Sequence, residues 1–212
     1  MLKGNAATPI VVVEKKPAVQ SEQEQATAYA VDFTKGVLPA EWHLGYIKGC
    51  EGLDYTISSA GLLVNGLKKA EGADAEAHLS ASISPIAGDF SIHIEYDVPE
   101  DAQNAANELI FKFDLPNGEN LIQASVEGGK VAKGLPGWNA RVHSRRDWEI
   151  RHLSHKDFTI TRRGDIYNVQ AGILHGCLVC AGDTSPIAAI TIIARGAHAH
   201  LVIKRITIAP LE

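Results

Sequence analysis

The sequence predicts an all-β protein in which two antiparallel sheets lie face to face, and three observations carry that expectation. Short segments of alternating apolar and polar residues recur from Tyr29 onward, the signature of half-buried strands. Gly, Pro, Asn and Asp separate these segments, as turns between strands require. Nothing alternates strand with helix, as a parallel sheet would, and 212 residues suit one undivided sandwich.

Taken in order, residues 1–28 combine the run Ile10-Val11-Val12-Val13 with Glu14-Lys15-Lys16-Pro17 and a polar stretch from Gln20 to Gln25. This composition predicts a disordered or loosely attached tail or linker, with Ile10–Val13 as an edge strand the alternative. A single domain is expected over residues 29–210. Leu53–Ser58, Gly61–Val64 and His78–Ile83 read as strands. In Phe90–Val98 apolar and polar residues alternate strictly, and Leu109–Leu115 repeats the pattern before the turn at Pro116-Asn117-Gly118. Glu100–Leu109 is the one short helix expected. Leu121–Val126, Ala140–His143, Trp148–His152, Ala188–Ala194 and His200–Ile208 bring the total to about a dozen strands. Trp42, Tyr55, Phe90, Phe111, Phe113 and Phe158 are the expected core aromatics. No repeat of fixed period is present, which argues against a propeller or solenoid.

Composition narrows the partners. Hydrophobic residues make up 45% and charged residues 21% of the chain, enough for a sizeable core. A formal charge of −5 and a pI near 6.0 lack the basic footprint of a nucleic-acid binder. No run approaches the roughly 18 apolar residues of a membrane helix. Cys50, Cys177 and Cys180 are odd in number, so no disulfide framework is implied. Cys177 and Cys180 have half-site spacing, but no second pair accompanies them, and residues three apart on a strand face opposite ways. Buried, reduced thiols are expected. His198 and His200 share a strand face without a third ligand, and there is no EF-hand loop. No metal or cofactor is assigned, and oligomeric state has no sequence signal.

Arg163-Gly164-Asp165 matches a cell-adhesion tripeptide, yet Phe158 and Ile160 before it and the apolar residues beyond it read as a hairpin whose glycine turns the corner. Adhesion is rejected as the function. The same stretch, FTITRRGDIYNVQAGI, resembles the strand, Gly-Asp turn and strand element of concanavalin A-like lectin and glucanase domains. AVDFTKGVLPAEWHL resembles their entry strand, GLLVNG the strand after the first hairpin, GDFSIHIEYDVPE a long central strand and LVIKRITIAP the closing strand. The resemblance spans residues 29–210. It implies a jelly-roll sandwich, often with a glycan on its concave face, and an extracellular or periplasmic protein; residues 1–28 themselves carry no signal-peptide pattern. One fold hosts many functions, so function is argued from the site.

Two regions carry candidate chemistry. Glu95-Tyr96-Asp97-Val98-Pro99-Glu100 fits the loose E-x-D-x-x-E pattern of laminarinase-type hydrolases, where resemblance would make Glu95 the nucleophile and Glu100 the acid/base. A retaining enzyme needs its carboxyls about 5 Å apart. The Gly and Trp neighbours of that pattern are missing, so an acidic solvent face is the preferred reading and Glu95 and Glu100 remain weak candidates. Lys112 and Asp114 share a face that could line a groove. The segment from Trp138 to Arg163 is chemically denser: its local balance is +4, leaving −9 elsewhere. Within it Trp138, Arg141, His143, Arg145, Arg146, Trp148 and Arg151 form the expected ligand-binding set, because rings stack on sugar faces while Arg forks grip carboxylate or sulfate. The expected function is carbohydrate binding, with an acidic glycan the ligand class these residues suit and a glycan or polysaccharide the partner. A glycan-degrading enzyme and a structural or protein-interaction module without a sugar site are the alternatives.

Overall fold

The computed structural model describes residues 28–72, 74–97, 108–118, 120–131, 135–144, 150–153, 157–171, 174–179, 185–195 and 201–212. They form fifteen strands and one 3₁₀ turn: β1 (Tyr29–Asp32), the turn Phe33–Lys35, β2 (Trp42–Lys48), β3 (Gly52–Ser58), β4 (Gly61–Lys68), β5 (Glu76–Ile86), β6 (Phe90–Asp97), β7 (Glu108–Asp114), β8 (Asn120–Val131), β9 (Leu135–Ser144), β10 (Ile150–Leu153), β11 (Asp157–Arg163), β12 (Ile166–Ala171), β13 (Leu174–Val179), β14 (Ile187–Arg195) and β15 (Leu201–Pro210).

Among the described residues the strands make two antiparallel sheets. One has eight strands in the order β13-β12-β11-β6-β15-β4-β3, with β1 also pairing β15; the other has seven in the order β10-β9-β8-β7-β14-β5-β2. The all-β sandwich expected from alternation is therefore the observed architecture. Alternation also explains which face each strand buries. Phe90, Ile92, Ile94 and Tyr96 of β6 are fully withdrawn from solvent, while Ser91, His93, Glu95 and Asp97 face outward. Leu109, Phe111 and Phe113 of β7 pack into the same core from the other sheet. Burying each such side chain contributes about 1.5–3 kcal/mol.

Aromatic contacts join the layers. The Phe158 ring of β11 meets Phe111 of β7 at 5.8 Å and Tyr96 of β6 at 6.1 Å. Phe33 meets Trp42 edge-on at 5.4 Å, and Trp42 Nε1 donates to Tyr29 Oη at 3.0 Å, tying β1 in one sheet to β2 in the other. Five of the six expected core aromatics are buried, and Tyr55 packs against the core half-exposed. A buried cation closes one end. Arg162 is 1% exposed, donates to the carbonyls of Gly88 and Ser185, and lies 4.2 Å from the Phe90 ring centroid.

The Arg163-Gly164-Asp165 tripeptide forms the corner between β11 and β12. Arg163 pairs with Ile166 across a two-residue turn, and Gly164 takes a φ of 58° that favours glycine. Asp89 Oδ1 accepts from the Gly164 N–H at 2.7 Å. One expectation is corrected: Glu108 and Leu109 open strand β7 instead of ending a helix, because Leu109 alternates with Phe111 and Phe113. Residues 100–107 of that expected helix lie outside the described residues, as do Cys180, His198, His200 and residues 1–27. Cys50 is a half-buried free thiol, and Cys177 lies across from Asn168 in the β12–β13 register.

Candidate functional site

Every strand that buries one face presents the other, and on the seven-stranded sheet the outer face of β5, β14 and β7 carries polar and charged residues around two isoleucines. Leu79 and Ala81 of β5 point inward, so Glu76, His78 and Ser80 point out. Inward Ile190, Ile192 and Ala194 on β14 leave Thr191, Ile193 and Arg195 outward, and β7 presents Ile110, Lys112 and Asp114. Backbone register aligns these into rows. One runs His43, Ser80, Thr191, Lys112, Gln123, His143. The next runs His78, Ile193, Ile110, Ser125, Arg141, Arg151, and a third Glu76, Arg195, Glu108, Glu127, Asn139.

The middle of this face, on β14 and β7, is shielded. Ile110 is 1%, Ile193 5%, Thr191 6% and Asp114 6% exposed, although none faces the core between the sheets. On the outside of the eight-stranded sheet, by contrast, the Glu95 and Asp97 side chains are 36% and 48% exposed. Shielding strengthens the polar contacts, since charges interact more strongly away from water. Ser80 Oγ lies 3.1 Å from Thr191 Oγ1, and Lys112 Nζ lies 2.9 Å from Asp114 Oδ1. Arg195 Nε donates to Glu76 Oε2 at 2.9 Å, while His78 Nε2 stands 3.4 Å from Glu76 Oε1. The Tyr46 ring of β2 lies 4.9 Å from the His78 ring.

Burial raises the Asp114 carboxyl above its ordinary range, with Lys112 and His78 opposing. Burial likewise pushes His78 below the ordinary imidazole value against the pull of Glu76. At Glu76 burial is outweighed by Arg195 and His78, and the carboxyl ends up lowered. The His78 Nε2 is buried, and its nearest polar partner among the described residues is the Glu76 carboxylate. Glu76 and Asp114 sit two strands and three rows apart, a separation on the order of 20 Å, so they do not form a glycosidase pair, which needs about 5–9.5 Å. Among the described residues no group of His, Cys, Asp and Glu is arranged to hold a metal ion.

The residues singled out in the sequence fall in three places. Arg141, His143 and Arg151 occupy outward rows of this same sheet by backbone register. Trp138 pairs with Gly128, on the parity of the core-facing rows. Arg145, Arg146, Trp148 and Glu100 lie outside the described residues. Glu95 stands on the opposite side of the molecule, on the outer face of the eight-stranded sheet, 3.5 Å from His93 Nε2 and 3.7 Å from an Arg205 nitrogen. Sequence reasoning missed Glu76, His78, Ser80, Thr191 and Arg195. The alternation of Glu76, His78 and Ser80 with Ala77, Leu79 and Ala81, and of Thr191 and Arg195 with Ile192 and Ala194, was visible, but which residues stand beside them depends on pairings between distant strands.

Neither a protein-family model nor a curated protein sequence matches the chain. Solved structures do. The CBM2 module of the evolved Dit of Lactobacillus casei BL23 phage J-1 superposes with a TM-score of 0.59 at 10% identity, over 88% of this chain and 96% of that one. The carbohydrate recognition domain of Emp47p gives 0.56 at 12% identity, over 90% and 99%. The fold is that of a concanavalin A-like lectin domain. The exoplasmic/lumenal domain of VIP36 agrees, with a TM-score of 0.53 at 9% identity over 89% of this chain and 94% of that one. At such identities the shared feature of these lectin-like domains is the fold.

Proposed function

We propose that this lectin-like domain binds a carbohydrate across the outer face of its seven-stranded sheet, as part of an exported protein, and that the ligand is anionic. The observation that carries the first part is the polar register row from His43 through Ser80, Thr191, Lys112 and Gln123 to His143. Adjacent donors and acceptors of this kind suit the vicinal hydroxyls of a sugar, and Tyr46 adds a ring at one end. The Emp47p domain is a carbohydrate recognition domain and the VIP36 domain an exoplasmic/lumenal one, which supports both the ligand class and export.

The anionic preference rests on β9 and β10. Arg141 and Arg151 are direct cross-strand partners, and like charges placed opposite one another destabilise a sheet. A carboxylate or sulfate between them would convert that repulsion into two charge-assisted contacts. Arg145, Arg146 and Trp148 belong to the same proposed ligand-binding set. The test is titration of sulfated, uronic-acid and neutral oligosaccharides at low and high salt, with the parent and the Arg141→Ala/Arg151→Ala variant. Binding should weaken with salt, because exposed charges are screened over about 8 Å at physiological ionic strength, and the variant should lose the preference for acidic sugars. Tighter binding of neutral sugars at low salt, or a variant that matches the parent, would overturn the anionic reading.

A further inference from the structure

Strand β2 ends the seven-stranded sheet, and among the described residues its outer edge pairs with nothing. It is also unusually apolar for an exposed edge: Leu44 is 42%, Tyr46 51% and Ile47 41% exposed, three of the five large hydrophobic side chains exposed among the described residues. Leu44 and Ile47 lean over Gly52 of β3, the end strand of the other sheet, where an added Cβ would meet Leu44 Cδ2 at 3.4 Å and Ile47 Cδ1 at 3.9 Å. The open margin between the sheets therefore carries both unpaired backbone groups and uncovered apolar surface, the combination that recruits another strand.

The occupant is indicated by where the chain enters. Trp42, the first residue of β2, donates through Nε1 to Tyr29 Oη at 3.0 Å, so the described chain begins beside the start of this edge. Ile10-Val11-Val12-Val13 is a run of β-branched residues, the type most at home in a strand. Residues 14–28 separate it from Tyr29 and span up to about 50 Å when extended, against roughly 23 Å for β2. A strand antiparallel to β2 would also finish at the Trp42 end, where the chain must continue.

We infer that Ile10–Val13 adds antiparallel to the free edge of β2 and covers Leu44 and Ile47. Hydrogen exchange on the full chain tests this, comparing the parent with Val12→Pro at two protein concentrations. The parent should show slowed exchange at residues 10–13. Val12→Pro, which removes a ladder donor, should abolish that protection and speed exchange at Gly45–Ile47 by about tenfold or more. Three results would overturn the inference: exchange at residues 10–13 as fast as in a free peptide, protection there with β2 unaffected by the substitution, or β2 protection that rises with concentration and ignores Val12→Pro. The last would assign the edge to a second copy of the chain.

Discussion

Lys112 and Asp114 lie two residues apart on one face of β7 with Nζ 2.9 Å from Oδ1, and the carboxyl side chain is only 9% exposed. Desolvation disfavours the Asp114 charge and Lys112 offsets it. Lys112→Met should therefore cost about 1–3 kcal/mol in a urea titration at neutral pH, because it strands a buried carboxylate. Adding Asp114→Asn should recover most of that loss. A double variant no more stable than the single one would mean that the pair does not act as a unit.

His78 makes acid sensitivity testable. Its folded-state pKa lies below the ordinary 6.5, with burial the largest cause. A depressed imidazole contributes stability that is present above pH 6.5 and lost as pH falls through the folded value. Asp114 acts in the opposite sense: its raised carboxyl contributes stability that is full below its ordinary 3.8 and lost as pH rises through the folded value. The His78 ring resonances should titrate with a midpoint below 6.5, and His78→Gln should lessen the loss of stability on mild acidification. A midpoint at or above 6.5 would contradict this account.

Arg162 should tolerate no substitute. Its guanidinium serves the Gly88 and Ser185 carbonyls at once while stacking on Phe90, and a lysine ammonium has neither the fork nor the plane to do so. Arg162→Lys is expected to cost at least about 2 kcal/mol, read as a lowered thermal midpoint; an unchanged midpoint would show that the contacts are dispensable.

Two glycines separate crowding from backbone strain. A Cβ at Gly61 would stand 2.5 Å from the Ile203 carbonyl oxygen, at a φ of 129°, whereas one at Gly164 meets nothing within 4 Å at a φ of 58°. Gly61→Ala should thus exceed about 2 kcal/mol of destabilisation, and Gly164→Ala should cost only the left-handed penalty of about 1–2 kcal/mol. Denaturant midpoints of the two variants give the comparison directly, and equal costs would contradict it.

Strands with strict alternation were legible in the sequence because one face is core: β6 and β7 begin within a residue of their expected starts. Strand β2 was not, since Trp42-His43-Leu44-Gly45-Tyr46-Ile47-Lys48 buries only Trp42 and shifts register between Leu44 and Ile47. The basic character near β9 and β10 was visible as composition. That Arg141 and His143 share a sheet face with Lys112, Thr191 and His78 was not, because it follows from long-range pairings that local periodicity does not encode. Glu95 fitted a motif, but its strand lies in the other sheet, with the core between it and the polar rows.

The central claim, that carbohydrate is held on the outer face of the seven-stranded sheet, is tested most directly by mapping backbone amide NMR shifts during titration with a sulfated oligosaccharide. Saturating perturbations at Glu76–Ser82, Ile110–Asp114 and Ala189–Arg195, with His93, Glu95, Thr159 and Thr207 unmoved, are the predicted result. Perturbations confined to β6, β11 and β15, or none with either a sulfated or a neutral sugar, would contradict it.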